Sequence, residues 1–124
     1  MPSIDTMQSV VHRYIRALND SDLEGILALY APDAVIEDPV GSPPHRGHEA
    51  IRAFYAGSMA LKLKVQLDGD IRAVANVAAF AFRVSFVWNG QATTISPIDV
   101  FHFNEEGLIT QMRAVFGPHN TQTH

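Results

Sequence analysis

The stretch AFAFRVSFVWNGQATTISPIDVFHF, residues 79–103, decides the fold class because apolar and polar side chains alternate along it. The even-numbered residues from Phe80 to Trp88 are bulky and apolar, so they share one face of a predicted strand. Asn89-Gly90 follows, a pair typical of type I′ hairpin turns, since both central residues of that turn need a positive φ. We therefore expect a hairpin whose return strand covers about residues 91–103.

Helical patterns precede this hairpin, and one further strand follows it. Apolar residues recur every three or four positions in the first third of the chain, and Ser21-Asp22-Leu23-Glu24 has the spacing of a capping box at the start of a second, short helix. Pro43-Pro44 indicates a loop before the third helix. The predicted helices cover residues 6–18, from 22 to near 30, and 48–59, and the other predicted strands cover 34–37 and 108–116. Helices followed by a meander of strands predict an α+β fold with the helices on one face of a curved antiparallel sheet.

Length and composition predict one globular domain spanning residues 1–124. Hydrophobic residues make up 47% of the chain and charged residues 18%, and there is no cysteine, which excludes disulfide scaffolds and thiolate metal sites. The formal net charge of −4, with no basic block, argues against nucleic-acid binding.

No sequence motif indicates a cofactor, a metal or a membrane. The six histidines show no paired metal-ligand spacing, and no phosphate-binding or nucleophile-elbow motif occurs. No signal peptide or membrane-spanning segment is visible. We expect a soluble, cytoplasmic protein that needs neither cofactor nor metal and has no membrane or nucleic-acid partner.

Asp99 interrupts the apolar side of the return strand. Residues two and four positions away share its face, and those residues are Ile95, Pro97, Phe101 and Phe103. A carboxyl group placed there loses hydration, so its pKa should rise and it should stay protonated as a hydrogen-bond donor.

A strand-edge position remains the alternative for Asp99. There its carboxylate would pair with Arg113 or Arg83. The pattern alone leaves both interpretations open, because the strand register is not visible in the sequence.

Asp38 and three tyrosines are the other candidate functional residues. Asp38 shares strand parity with apolar residues but precedes a proline, and that position is also typical of an ordinary turn. Tyr14, Tyr30 and Tyr55 fall at inward-facing positions. They either meet around one interior space as a hydrogen-bonded chain or are separate core residues.

These residues stand in segments that resemble the bacterial ketosteroid isomerases, which belong to the SnoaL-like group of the nuclear-transport-factor-2-like superfamily. The matching segments run in family order along nearly the whole chain: residues 13–15 (RYI), 35–41 (VIEDPVG), 53–55 (AFY), 79–84 (AFAFRV), 97–100 (PIDV) and 112–114 (MRA).

The resemblance implies a conical fold, in which a curved, mostly antiparallel sheet and three helices from the N-terminal half enclose a deep apolar pocket. It also implies a homodimer formed through the sheets. The implied reaction moves the double bond of a 3-oxo-steroid from the 5,6 to the 4,5 position by proton transfer through a dienolate. No cofactor takes part in this reaction.

The residue roles implied by the resemblance are specific. Asp38 is the general base, with a near-normal pKa, and Tyr14 and Asp99 donate hydrogen bonds to the steroid oxygen. Tyr30 and Tyr55 form a supporting network, although some relatives carry Phe at the position of Tyr30. The substrate is expected to contact eight further residues, namely Leu18, Phe54, Phe82, Val84, Phe101, Met112, Ala114 and Phe116, and some relatives carry Trp at this last position.

Two rival functions stay open at this point. The first is another enzyme on the same scaffold, such as a polyketide cyclase or an epoxide hydrolase. The second is a non-enzymatic small-molecule carrier, in which Asp38, Tyr14 and Asp99 need not converge.

Overall fold

The fold contains three helices and nine strands. Two of the strands lie between the second and third helices, and the other seven follow the third helix. The computed structural model describes all 124 residues. The helices are α1 (Ile4–Asp20), α2 (Leu23–Leu27) and α3 (Gly47–Met59). The strands are β1 (Tyr30–Glu37), β2 (His45–Arg46), β3 (Lys64–Leu67), β4 (Arg72–Val74), β5 (Val77–Trp88), β6 (Gln91–Ile95), β7 (Ile98–Phe103), β8 (Ile109–Val115) and β9 (Thr121–Thr123). This arrangement confirms the predicted α+β class.

The strands form one curved sheet in the order β2-β1-β8-β7-β5-β6-β9, with β3 and β4 also paired to β5. Every pairing is antiparallel except that of β1 with β8. The long strand β5 joins the two halves of the sheet. Its residues 77–81 pair with β4 and β7, whereas residues 82–88 pair with β3 and β6. The concave face of the sheet therefore extends over both halves, and the helices pack against it.

The core lies between the helices and this concave face. It is a single cluster of 26 buried hydrophobic residues that draws on all three helices and on five of the strands. Helix α1 contributes the predicted stripe, including Met7, Val10 and Tyr14. No helix combines the length with the apolar character that crossing a bilayer requires.

The hairpin prediction is confirmed, with one interruption of the return strand. Asn89 and Gly90 have φ of 52° and 79°, as the type I′ turn requires. The return strand is not continuous, because Pro97 has no N–H to donate to the sheet. The register with β5 is nevertheless the same on both sides of the break, and the Phe82 amide still donates to the Pro97 carbonyl at 3.2 Å.

The structure corrects the prediction around α2. Ser21 does not cap this helix. It closes α1 in a left-handed conformation with φ of 53°, and the side chain that caps α2 belongs to Asp22. Helix α2 ends at Leu27 because Tyr30 already pairs with β8 at the start of β1. The short strands β2, β3, β4 and β9 were not predicted, because each is too brief for alternation to be visible in the sequence.

Candidate active site

An apolar cavity of about 200 Å³ opens between the helices and the concave face of the sheet. Tyr14, Asp38, Tyr55 and Asp99 all lie in its wall. The polar candidates therefore converge, which disfavours the carrier alternative. Tyr30 lies behind this wall.

Asp99 is the second residue of β7, a strand paired on both sides, with Phe80 of β5 opposite it on one side and Ala114 of β8 on the other. Its side chain faces the cavity, the residue is 1% exposed, and neither carboxyl oxygen has a hydrogen-bond partner in the protein. The strand-edge alternative is wrong, since Arg113 pairs with Glu37 and Arg83 is exposed on the other face of β5.

The environment of Asp99 favours its neutral form. Burial raises the pKa of this carboxyl group well above its ordinary value, and the nearby charge of Asp38 raises it further. The Tyr14 hydroxyl lies close enough to oppose this pKa rise slightly, but it does not meet the geometry of a hydrogen bond. Asp99 therefore presents an O–H donor to the cavity at neutral pH.

Tyr14 is the cavity end of a chain of three tyrosine hydroxyls. The Tyr14 and Tyr55 oxygens are 3.1 Å apart, and those of Tyr55 and Tyr30 are 2.6 Å apart. Burial raises the pKa of all three phenols well above the ordinary value, so they remain protonated. If Tyr30 donates to Tyr55 and Tyr55 donates to Tyr14, the Tyr14 proton is free to point into the cavity.

The ring of Tyr14 is held in place by aromatic contacts beneath the cavity. It packs edge-on against Phe101, with ring centroids 5.0 Å apart, and against Phe80 at 6.0 Å. Such edge-to-face pairs fix the orientation of a ring as well as bury it. The direction of the Tyr14 hydroxyl therefore follows from packing on α1, β5 and β7.

Asp38 enters the cavity at the end of β1, where the bond to Pro39 is cis. It is half-buried and shares the inward face of β1 with Ala34 and Ile36, while Glu37 points to the other face and pairs with Arg113. Burial raises the pKa of Asp38 to about 6, above the near-normal value that we expected. The carboxylate still predominates at neutral pH, so Asp38 is a competent base there.

Six of the eight residues expected to contact a ligand lie in the cavity wall: Leu18, Phe54, Phe82, Val84, Ala114 and Phe116. The other two, Phe101 and Met112, are not among the residues that line the cavity, and both are completely buried. Phe101 instead supports the ring of Tyr14.

Other lining residues escaped the sequence analysis. Phe86 continues the even-numbered face of β5, and Ile95 and Pro97 continue the stripe that contains Asp99, so the alternation could have identified them. Ser58 lies one helical turn after Phe54 and adds a hydroxyl group to the wall. Leu61 and Leu63 lie beyond the end of α3, where no periodic pattern marks them.

Comparisons with known proteins show similarity to one domain family and to three enzymes. A family profile described as SnoaL-like domain matches residues 11–112. The chain is 43% identical over 112 residues to the steroid Delta-isomerase of Nocardioides simplex, and the match covers 90% of each protein. It is 30% identical over 125 residues to the epoxide hydrolase LasB of Streptomyces lasalocidi, covering 94% of this chain but 43% of LasB. The solved structure of SalBIII, an epoxide hydrolase/cyclase-like enzyme with a role in pyran ring formation in the polyether salinomycin, superposes with a TM-score of 0.93 at 25% identity and full coverage of both chains.

Proposed function

This chain belongs to the SnoaL-like domain family, and within that family we propose that it is a steroid Δ5-3-ketoisomerase. The observation that carries the proposal is the convergence of one carboxylate, Asp38, and two neutral O–H donors, Tyr14 and Asp99, on one apolar cavity. The identity of 43% with a steroid Delta-isomerase over most of the chain supports the same conclusion.

In the proposed reaction, Asp38 takes a proton from carbon 4 of the 3-oxo-Δ5-steroid. The electrons of the broken C–H bond form a carbon–carbon double bond between carbons 3 and 4, and negative charge moves to the 3-oxo oxygen. The protonated Asp38 then returns the proton to carbon 6, the oxygen regains its carbonyl bond, and the double bond now lies between carbons 4 and 5. One base serves both steps because the two carbons lie on the same face of the steroid.

Tyr14 and Asp99 stabilise the intermediate of this reaction. Their O–H groups donate to the oxygen as its charge develops, and the apolar wall strengthens these hydrogen bonds by excluding water. Ketosteroid isomerases are themselves a well-known example of a carboxylic acid kept neutral by an apolar site. In this chain the missing hydrogen-bond partner of Asp99 supports that role, because its proton is not engaged elsewhere.

The direct test of the proposed function is the isomerisation of 5-androstene-3,17-dione, followed by the growth of conjugated-enone absorbance. We expect turnover without any added metal or cofactor. Absence of turnover by the folded protein would overturn the proposal.

Epoxide opening is the second candidate, because LasB and SalBIII are also similar to this chain. In that reaction Asp38 would take a proton from an attacking hydroxyl group, and Asp99 would give its proton to the epoxide oxygen as the C–O bond breaks. Diol or cyclic ether formation from an apolar epoxide, without enone turnover, would favour this function instead.

We expect the catalytic efficiency kcat/KM to rise with pH in the acidic range, to reach half of its maximum at about pH 6, and to level off about one unit above that. Asp38 must be ionised to accept the proton, and burial sets its pKa to about 6. The measurement is enone formation at limiting substrate between about pH 4 and 8. An efficiency that falls between pH 5 and 7 would contradict the assignment of Asp38 as the base.

Asp99→Leu is expected to lower kcat by about 100-fold, because one of the two donors to the developing oxyanion is removed. The same variant should unfold at higher urea concentration at neutral pH, since a buried carboxyl group without a partner costs about 1–3 kcal/mol. Asp99→Asn is the matched control, because its amide can still donate and should retain more activity. Wild-type turnover in Asp99→Leu would remove Asp99 from the mechanism.

We also propose that the protein is a homodimer that associates through the outer face of its sheet. Ile98 and Val115 lie directly opposite each other there, with 46% and 52% of their surfaces exposed. Burial of such an apolar pair would favour association. Sedimentation velocity at micromolar concentration tests this, and a purely monomeric protein would contradict it.

A further inference from the structure

Glu37 lies next to Asp38 but faces away from the cavity, and both of its carboxylate oxygens are in use. Oε2 accepts a hydrogen bond from the backbone amide of Gly41 at 3.0 Å. Oε1 accepts one from Nε of Arg113 at 3.1 Å. A single side chain thus joins the two ends of the turn that carries Asp38 and attaches that turn to β8.

Two further contacts hold the same turn. The Val40 amide donates to the Ala114 carbonyl at 2.9 Å, and the Ser42 hydroxyl donates to the Pro39 carbonyl at 2.6 Å. Ala114 itself lines the cavity. The backbone around Asp38 is therefore tied to the strand that forms part of the cavity wall.

The ion pair of Glu37 differs from the other side-chain carboxylate–guanidinium pair of this chain, Glu24–Arg52. Glu24 is 73% exposed and bonds only to Arg52, between α2 and α3. Glu37 is 28% exposed, and it bonds to a backbone amide as well as to Arg113. Solvent therefore screens the less exposed Glu37 contact less than the Glu24 contact. Glu24 therefore provides a matched control for the loss of an ion pair.

We propose that Glu37 is a positioning residue for the general base, which holds the turn of residues 38–41 so that the Asp38 carboxylate stays in the cavity and shielded from water. The inference rests on the proposed function, in which Asp38 transfers the proton. Glu37 does not line the cavity and takes no part in the chemistry itself. Its pKa is lowered by the Gly41 amide and by Arg113, so it remains a charged acceptor at neutral pH.

Proton transfer from carbon requires close alignment of the base. A displacement of about 1 Å of a catalytic group can cost about 100-fold in rate. Without Glu37, the turn would keep its contacts through Val40 and Ser42 but would lose the link between Gly41 and β8. We therefore expect a partial loss of alignment.

Glu37→Ala is expected to lower kcat by about 10- to 100-fold and to leave KM within about threefold, because the residue does not touch the substrate. The loosened turn should also admit water to Asp38, so the titration midpoint of Asp38 should move down from about 6 toward the ordinary value. This midpoint is read from the pH dependence of kcat/KM and, independently, from the carboxyl carbon signal of Asp38 in NMR titrations. The titratable or charged groups near Asp38 in that titration are the neutral Asp99 inside the cavity and the Glu37–Arg113 ion pair outside it.

Two graded variants and one control accompany this experiment. Glu37→Gln keeps an acceptor for the Gly41 amide and should restore most of kcat. Arg113→Gln leaves the Gly41 contact intact and should cost less than Glu37→Ala, and it serves as the test if Glu37→Ala does not fold. Glu24→Ala should change neither kcat nor the Asp38 titration.

Wild-type kcat together with an unchanged Asp38 midpoint in Glu37→Ala would overturn the positioning role. The same loss of kcat in Glu24→Ala would also overturn it, since the effect would then reflect general destabilisation. The NMR titration needs no turnover. It therefore still tests Glu37 if the wild-type protein fails the enone assay, a failure that would overturn the proposed function alone.

Discussion

Asp38→Asn is expected to reduce kcat for 5-androstene-3,17-dione by about 10³- to 10⁴-fold. The amide has nearly the same shape as the carboxylate but cannot accept the proton from carbon 4. No other carboxylate that is ionised at neutral pH lines the cavity, because Asp99 is neutral there. Single-turnover enone formation measures the loss, and binding of the steroid should stay within a few-fold of wild type.

The same variant should be more stable than the wild type. Burial raises the folded-state pKa of Asp38 to about 6, so the native state retains a proton that the unfolded chain releases. Stability is therefore lost as pH rises from about 4 through about 6, and Asp38→Asn escapes this loss. Urea unfolding at pH 7 should show a gain of about 2 kcal/mol, after allowance for the partial exposure of the side chain.

Asp33→Asn is the matched control for Asp38→Asn, because Asp33 is exposed on the same strand. It should leave turnover unchanged. Turnover by Asp38→Asn within tenfold of wild type would rule out Asp38 as the base.

Tyr14→Phe is expected to lower kcat by about 10³-fold, a larger loss than the one expected for Asp99→Leu. The hydroxyl of Tyr14 ends a chain that Tyr55 and Tyr30 reinforce, and such chains polarise each successive donor. The Phe ring retains the contacts with Phe101 and Phe80, so the fold should be unaffected. The loss should fall on kcat and leave KM little changed, since the hydrogen bond strengthens as charge develops.

Tyr30→Phe tests the contribution of the chain of tyrosine hydroxyls separately from that of Tyr14, its terminal donor. It removes only the distant hydroxyl, so we expect less than a tenfold loss of kcat. An equal loss in Tyr30→Phe and Tyr14→Phe would mean that the network acts as a structural unit. Unchanged kcat with raised KM in Tyr14→Phe would show that Tyr14 binds the ground state and the intermediate equally.

Strand alternation was the strongest sequence signal for both the fold and the site. It predicted the hairpin around Asn89-Gly90 and the inward direction of Asp99, because a period of two fixes which face a side chain occupies. It could not decide between a central and an edge strand for Asp99. That choice depends on the pairing of β7 with both β5 and β8, which is a long-range property.

Other features depend on packing that no local pattern encodes. Phe101 has the parity of the cavity face, yet it lies beneath Tyr14, because the depth of a side chain depends on what covers it. The pKa of Asp38 likewise follows from how much of its surroundings is apolar in three dimensions. The segment containing Leu61 and Leu63 reaches the wall through the path of the chain after α3, which has no periodic signal.

The parallel pairing of β1 with β8 has a consequence for synthesis in the cell. Glu37 and Arg113, which face each other across this pair, are 76 residues apart in the chain. During translation β1 must therefore wait, without its eventual neighbour, until β8 has left the ribosome, and closing so long a loop is entropically slow. Until then a nascent chain cannot hold Asp38 in a formed cavity wall, so under the proposed function activity should arise abruptly once β8 has emerged and not grow gradually with length.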